Sequence, residues 1–203
     1  MTLPQRGARL TTTLVVSQPS VWRFLRRPFR GYFTLLAPRW DRITTAGDLA
    51  ALNAALADVS PPRRALDVGT GTGAAAFLVA ERFPETEVIG VDLSPAMVAA
   101  AEAKTPPQLV DRVRFLTADA AQLPLPAASC DLVTVANMIP FFDELARVLA
   151  PAGTLLVAYA EGAETPIYVP PKRLRAELGQ RGLTHFADFT AGAATCLLVR
   201  RDT

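Results

Sequence analysis

The sequence predicts an α/β protein: a doubly wound, mostly parallel sheet of seven strands that closes on an antiparallel last strand. Strand-like and helix-like segments alternate from Arg64 to Ala160, the pattern of parallel strands with helices on both faces. Two further strand-like segments then follow each other with only a turn between them, which calls for one antiparallel edge strand. Four successive strand ends carry Asp67, Asp92, Asp119 and Asn137, at the carboxyl edge where such sheets bind ligands.

The elements follow in order. Ala46–Val59 reads as a helix with Leu49, Leu52 and Leu56 on one face. Arg64–Val68 is a short apolar strand, and Ala74–Phe83 is a helix stopped by Pro84. Glu87–Val91 is a β-branched strand closed by Asp92. Ser94 then reads as an N-cap with Pro95 at the first helical position, opening a helix to Lys104. Val113–Thr117 and Asp131–Ala136 are strands, Phe141–Leu149 a helix, and Pro151-Ala152-Gly153 a turn into a strand at Thr154–Ala160. Pro171–Arg181 is a basic amphipathic helix. Leu183–Phe189 and Thr195–Arg200 flank Ala191-Gly192 as a hairpin.

Composition excludes several classes. The chain has 203 residues, half of them apolar and a fifth charged, enough for one well-filled core. No apolar run reaches the length of a membrane span, and the amino terminus lacks a signal-peptide pattern, so a cytoplasmic protein is expected. Cys130 and Cys196 make no disulfide framework. With His185 as the single histidine, no metal site and no histidine-based nucleophile system is expected.

Charge divides the chain into residues 1–42, a basic aromatic arm and entry segment, and residues 43–203, the domain proper. The first segment holds eight arginines against Asp41 alone, a net +7, while the remainder is −5. Six of the 15 aromatic residues lie between Trp22 and Trp40.

The chemistry centres on Leu66-Asp67-Val68-Gly69-Thr70-Gly71-Thr72-Gly73. Alternate glycines allow a sharp turn and close approach of a ligand. The string fits a dinucleotide fingerprint through Gly69, Gly71 and Ala74. It also reads as Asp-x-Gly-x-Gly-x-Gly, whose leading carboxylate suits a ligand carrying an ammonium group. Asp92, 25 residues after Asp67, suits ribose hydroxyls in either class. Leu93 and Met97 could cover an adenine face or belong to the core. Asp119 could read the amino edge of adenine or be a solvated turn residue, and Asn137 could face a ligand or cap its strand.

Residues 64–160 resemble the class I S-adenosylmethionine-dependent methyltransferases, in particular the small-molecule group of ubiquinone/menaquinone type (methyltransferase type 11-like). The resemblance rests on Leu66–Gly73, Val91-Asp92-Leu93-Ser94-Pro95-Ala96-Met97, Ala118-Asp119-Ala120 with Leu123-Pro124, and Arg147–Gly153. The segment from Tyr32 to Asp41 is similar to the family's entry segment, with Trp40 in place of its usual tyrosine. The likeness thus extends over about residues 32–201. It implies the Rossmann-like methyltransferase fold, whose antiparallel last strand agrees with the hairpin.

The resemblance implies S-adenosylmethionine as methyl donor, held by Asp67, Gly69, Thr70, Gly71, Gly73, Asp92, Leu93, Met97, Asp119, Ala120, Asn137, Met138 and Trp40. It implies methyl transfer to a small acceptor, apolar, anionic or carrier-bound. The connection after Asn137 is short and lacks the family's frequent histidine, and Thr165–Pro170 leaves no room for an inserted substrate lid. No catalytic residue is assigned; Tyr159, Tyr168 and His185 are the candidates for a general base. A non-catalytic cofactor-binding subunit and an NAD(P)-dependent oxidoreductase remain as alternatives. Nucleic acid is disfavoured, because Asn137-Met138-Ile139-Pro140 lacks the motif of base methyltransferases. The arm has three readings: a lid over the acceptor, a peripheral membrane contact, or a packed surface helix.

Overall fold

The computed structural model describes residues 3–44 and 46–201. Seven strands form one sheet in the order β3-β2-β1-β4-β5-β7-β6. They are β1 (Arg64–Val68), β2 (Glu87–Asp92), β3 (Val113–Thr117), β4 (Cys130–Ala136), β5 (Leu149–Tyr159), β6 (Leu183–Ala191) and β7 (Ala194–Arg201). The first five are parallel, while β7 runs antiparallel to both β5 and β6. The antiparallel strand is therefore not at the edge, as the hairpin alone suggested. It is inserted between β5 and β6, and β6 forms the edge. The contrast between the two strands agrees with this order: β7 carries the continuous buried run Leu197-Leu198-Val199, as strands covered on both faces do, while most of β6 is exposed or half-buried.

The chain leaves β1 for β2 on one side and later returns to β4 on the other, so the sheet reverses its winding between β1 and β4. That is the point where a crevice opens beyond the strand ends. Helices cover both faces: α4 (Ala50–Leu56), α5 (Ala74–Arg82) and α6 (Pro95–Lys104), then α7 (Phe142–Val148) and α8 (Pro171–Gly179). Strand alternation sends Ala65 into one apolar cluster with Leu52, Leu56 and Val79, and Leu66 and Val68 into the other with Leu145 and Leu174.

Two elements depart from expectation by three residues or more. The helix expected over residues 46–59 starts as a 3₁₀ turn, Ala46–Leu49, and its α-helical part ends at Leu56. β5 starts five residues early, at Leu149. The Pro151-Ala152-Gly153 turn is absorbed into it as an irregularity, with Ala152 at φ 58 and the register slipping between Cys130 and Leu132.

The arm is helical throughout most of its length. It comprises α1 (Leu3–Ser17), α2 (Trp22–Leu36) and the short α3 (Trp40–Ile43). Arg9 on α1 donates to the carbonyls of Ala163 and Thr165, both at 2.6 Å, which fastens the arm to the short segment after β5. Val15 and Trp22 pack with Ile139 and Phe141 as a third small apolar cluster. No helix among the described residues is long and apolar enough to cross a membrane.

Leu56 is fully buried under β5, β6 and β7. Leu56→Ala is expected to lower stability by about 2–5 kcal/mol through the cavity it leaves. Leu35→Ala, at an exposed position, should change it by no more than about 0.5 kcal/mol. Thermal unfolding of the two variants beside the parent measures both.

Candidate active site

The glycine-rich loop after β1 is fastened to β2 by its backbone. Gly69 and Thr70 both donate to the Val91 carbonyl, at 2.8 and 2.9 Å, and Gly71 donates to the Asp92 carboxylate at 2.9 Å. Gly69 and Gly71 have φ of 73 and 55, a region costly for residues with a Cβ. Space is short as well. A Cβ at Gly69 would lie 2.3 Å from the Met138 sulfur, and one at Gly71 would lie 3.0 Å from the Trp40 indole nitrogen.

Beyond the strand ends lie three adjoining cavities. The central one, about 90 Å³, is lined on one side by Gly69, Gly71, Asp92, Leu93, Met97, Ala120, Asn137 and Met138. On the other side stand Trp22, Phe29, Phe33 and Trp40 of the arm, with Ile139, Phe141 and Ile167. The second, about 260 Å³, shares Gly69, Gly71, Trp40 and Asn137 with the first and is walled by Asp41, Asp48, Asp67 and Thr70. The third, about 350 Å³, shares Leu93 and Ala118 and is walled by Arg26, Arg27, Arg30 and Asp119. One end of the cleft is thus acidic, the other basic, and the middle apolar.

Asp67 is almost fully buried. The β1–β4 register sets it opposite Thr134, whose hydroxyl donates to its Oδ1 at 2.7 Å. Its Oδ2 has no hydrogen-bond partner among the described residues, nor does the buried Thr70 hydroxyl. Burial pushes the Asp67 carboxyl up to about 6, against the neighbouring hydroxyls of Thr70, just outside hydrogen-bond geometry, and Thr134, and the charge on Asp92 adds to the rise. A buried carboxylate with an unmet oxygen, facing a cavity walled by two more acids, fits a cationic group.

Asp92 also accepts from the Ser94 N–H at 2.8 Å, so each of its oxygens already holds a backbone N–H and keeps further acceptor capacity. Burial raises its carboxyl, opposed by the bonds from Ser94 and Gly71. Asp119 accepts from the Trp22 indole at 2.8 Å and from the Ala121 N–H at 3.0 Å, with Arg26 3.6 Å from its other oxygen. It therefore meets the arm rather than open solvent. Asn137, at φ 50, accepts from the Ala160 N–H at 2.8 Å, so it ties the segment after β4 to the residue that follows β5 besides lining the cleft. Gly73 ends the loop as the N-cap of α5 and lines none of the three cavities.

The three candidate bases do not reach the cleft. Tyr159 lies in the core, its oxygen accepting from the Val169 N–H, and burial raises its hydroxyl strongly. Tyr168 packs edge-on against Tyr159, and His185 is exposed on the edge strand β6. Sequence reasoning missed Asp41, Thr72 and Lys104. The Thr72 hydroxyl donates to Asp41 at 2.7 Å and Lys104 pairs with the same carboxylate, which holds that carboxyl below its ordinary range. This contact ties the end of the arm to the glycine loop. The only signal for it was the acid next to Trp40, whose partners are 31 and 63 residues away.

Residues 65–153 match the model of a methyltransferase domain family. The chain is 42% identical over 138 residues to a demethylmenaquinone methyltransferase of Thermus thermophilus, covering 62% of each protein. It is 38% identical over 114 residues to a trans-aconitate 2-methyltransferase of Methylobacterium radiotolerans, covering 53% of this chain and 42% of the relative. The chain thus spans less than two thirds of the length of these curated relatives. Among solved structures it is similar to an S-adenosylmethionine-dependent methyltransferase of Aquifex aeolicus. There the TM-score is 0.66 at 17% identity, over 81% of this chain and 97% of the other. It is also similar to human N-acetylserotonin methyltransferase in complex with S-adenosylmethionine, at TM-score 0.65 and 19% identity, over 86% and 57%.

Because Asp67 binds its proton more tightly folded than unfolded, its contribution to stability falls as pH rises from about 4 to about 6 and is level above that. Asp67→Asn removes the charge but buries an amide, so a net gain of about 1–2 kcal/mol is expected at pH 8. Little gain is expected near pH 4. Urea unfolding of both proteins at the two pH values tests the sign.

Proposed function

We propose that this chain, whose residues 65–153 match a methyltransferase-domain family, is a class I S-adenosylmethionine-dependent methyltransferase that transfers a methyl group from that donor to a small apolar or anionic acceptor. The observation that carries the reading is the make-up of the central cavity. Glycine loop, Asp92 and Leu93 form one wall and a set of aromatic rings the other, and among the described residues Asp92 is the only titratable side chain on either.

In this reading Asp67 and the acid lobe receive the donor's ammonium end, with the Thr70 hydroxyl beside it. Asp92 uses its remaining lone pairs for the ribose hydroxyls. Leu93, Met97 and Ala120 lie against the adenine, and Asp119 meets its amino edge. Bound there, S-adenosylmethionine supplies a methyl activated by a sulfonium. Trp22, Phe29, Phe33, Trp40, Ile139 and Phe141 exclude water and fix the acceptor in line, the contribution expected to matter most for a displacement of this kind. Among the described residues the aromatic wall carries no titratable side chain, which suits an acceptor that arrives ionised or as an activated carbon. Two relatives are named for a quinone and for a carboxylic acid. The apolar cavity suits the first class and the arginine-walled lobe suits the second. Residues 1–42 act as the cover of a domain formed by residues 43–203, and the cytoplasm, where the donor is made, is the proposed compartment.

Isothermal titration should show binding of S-adenosylmethionine and of its demethylated product, and none of NAD; tight binding of NAD alone would reverse the assignment. Gly71→Val should abolish donor binding, because the side chain meets both a left-handed backbone and the Trp40 indole. Asp92→Ala should weaken it by about 1.5–3 kcal/mol.

A cation beside Asp67 lowers its carboxyl, so donor binding near pH 5.5 should release up to about one proton and affinity should fall below about pH 6. Titrations in buffers of different ionisation enthalpy measure the proton directly. Asp67→Asn should lose the proton release.

A further inference from the structure

We propose that the outward face of α2 is a docking surface for an anionic lipid bilayer, which sets the mouth of the central cavity at the membrane surface. Only the last clause rests on the acceptor site proposed above; the docking stands on the arm itself.

Helix α2 has two apolar faces rather than one. Trp22, Leu25, Phe29 and Phe33, spaced by three, four and four, turn inward and pack on the body. Phe24 and Leu35, three turns apart, share the opposite side and are 67% and 81% exposed, and Tyr32, 59% exposed, lies at the border between the two faces. Single exposed apolar residues need no explanation, but these are concentrated. Of the eight large hydrophobic side chains that are exposed among the described residues, six lie between Leu10 and Ile43.

Beside the outward apolar residues run Arg23, Arg27 and Arg30, four and three apart and all exposed; Arg27 and Arg30 stand at the border with the cleft, where they also wall the third cavity, and Arg23 does not. None of them forms a salt bridge among the described residues. The Arg23 guanidinium lies 4.5 Å over the Phe24 ring, its charge held at the level of an apolar group. Apolar side chains flanked by free arginines on one helical face are what a headgroup–acyl boundary accepts. The body is net negative and the arm strongly positive, so an anionic surface is met arm first. An acidic protein or a nucleic acid would use the arginines but leaves the exposed phenylalanine and leucine without a purpose. A bilayer uses both.

The two faces communicate. The Tyr32 and Phe33 rings meet edge-on at 5.3 Å, and Phe33 meets Trp40, above the glycine loop, at 5.7 Å. A short series of ring contacts thus links the border of the outer face of α2 to the wall of the cavity.

The test is sedimentation of the full chain with vesicles of phosphatidylglycerol and phosphatidylcholine in equal parts, and with phosphatidylcholine alone. Binding to the anionic vesicles that weakens with salt, and little to the neutral ones, is expected. The double variant Phe24→Ser, Leu35→Ser should bind anionic vesicles at least about tenfold more weakly, with unfolding temperature and donor affinity unchanged. Arg23→Gln should cost about fivefold. A parent protein that ignores anionic vesicles overturns the proposal. So does binding that the double variant retains in full, because that is ionic adhesion of the kind any polyanion gives. Donor affinity is read separately, so a chain that fails to bind S-adenosylmethionine yet docks on vesicles sinks the proposed function and leaves the docking surface standing.

Discussion

The cleft depends on how the loop after β1 is fastened to the end of β2. Three consecutive N–H groups, from Gly69, Thr70 and Gly71, end on two consecutive residues, Val91 and Asp92. These bonds require a left-handed backbone at Gly69 and Gly71, and they set the floor of the central cavity. Because Asp92 also accepts from Ser94, one carboxylate holds both the glycine loop and the first turn of α6. A residue expected only to contact a ligand is thereby also part of the scaffold, and its removal would loosen the loop as well as the ligand.

Charge is distributed along the cleft in an order that stability alone would not select. Asp67 is buried with one oxygen unpartnered, and the protein bears the cost of that carboxylate at neutral pH. Asp41 and Asp48 stand on the same side, while Arg26, Arg27 and Arg30 stand at the other end. Between them the walls are rings and aliphatic chains. Such an arrangement favours a ligand with a cationic terminus, and the apolar middle keeps water away from whatever lies beyond it.

The alternation of strands and helices was legible because each strand is a short apolar run bounded by a turn residue, and parallel strands buried on both faces must look that way. The strand-end acids were legible for the same reason, since a charged residue closing an apolar run stands out. The position of β7 was not: a hairpin fixes which strands pair, and not which of the two joins the rest of the sheet. The contacts from Asp41 to Thr72 and Lys104, and from Trp22 to Asp119, span 31, 63 and 97 residues, and no local pattern marks them. The candidate bases failed for a related reason. Tyr159 ends β5 and Tyr168 follows it in sequence, but they line a separate cavity with Arg175 and Asp188, away from the glycine loop.

The arm gains its meaning from the contact between Trp22 and Asp119. α2 contains Pro28 and Gly31, poor residues for a helix interior, so its conformation leans on tertiary contacts made by its inward rings. One of those contacts ends on the acid assigned to the adenine. Asp119 Oδ1 already accepts from the Trp22 indole and the Ala121 N–H, and Arg26 stands near Oδ2. On the proposed seating, the donor's amino edge would approach a carboxylate that the arm also holds, so donor and arm must either share that carboxylate or compete for it. Sharing makes each stabilise the other, and competition makes the donor lift Trp22 from the cavity wall. In both cases the occupancy of the donor site and the position of α2 are coupled through a single side chain. A force applied to the outer face of the helix is then felt at Asp119, and the free energy that couples them acts equally in both directions.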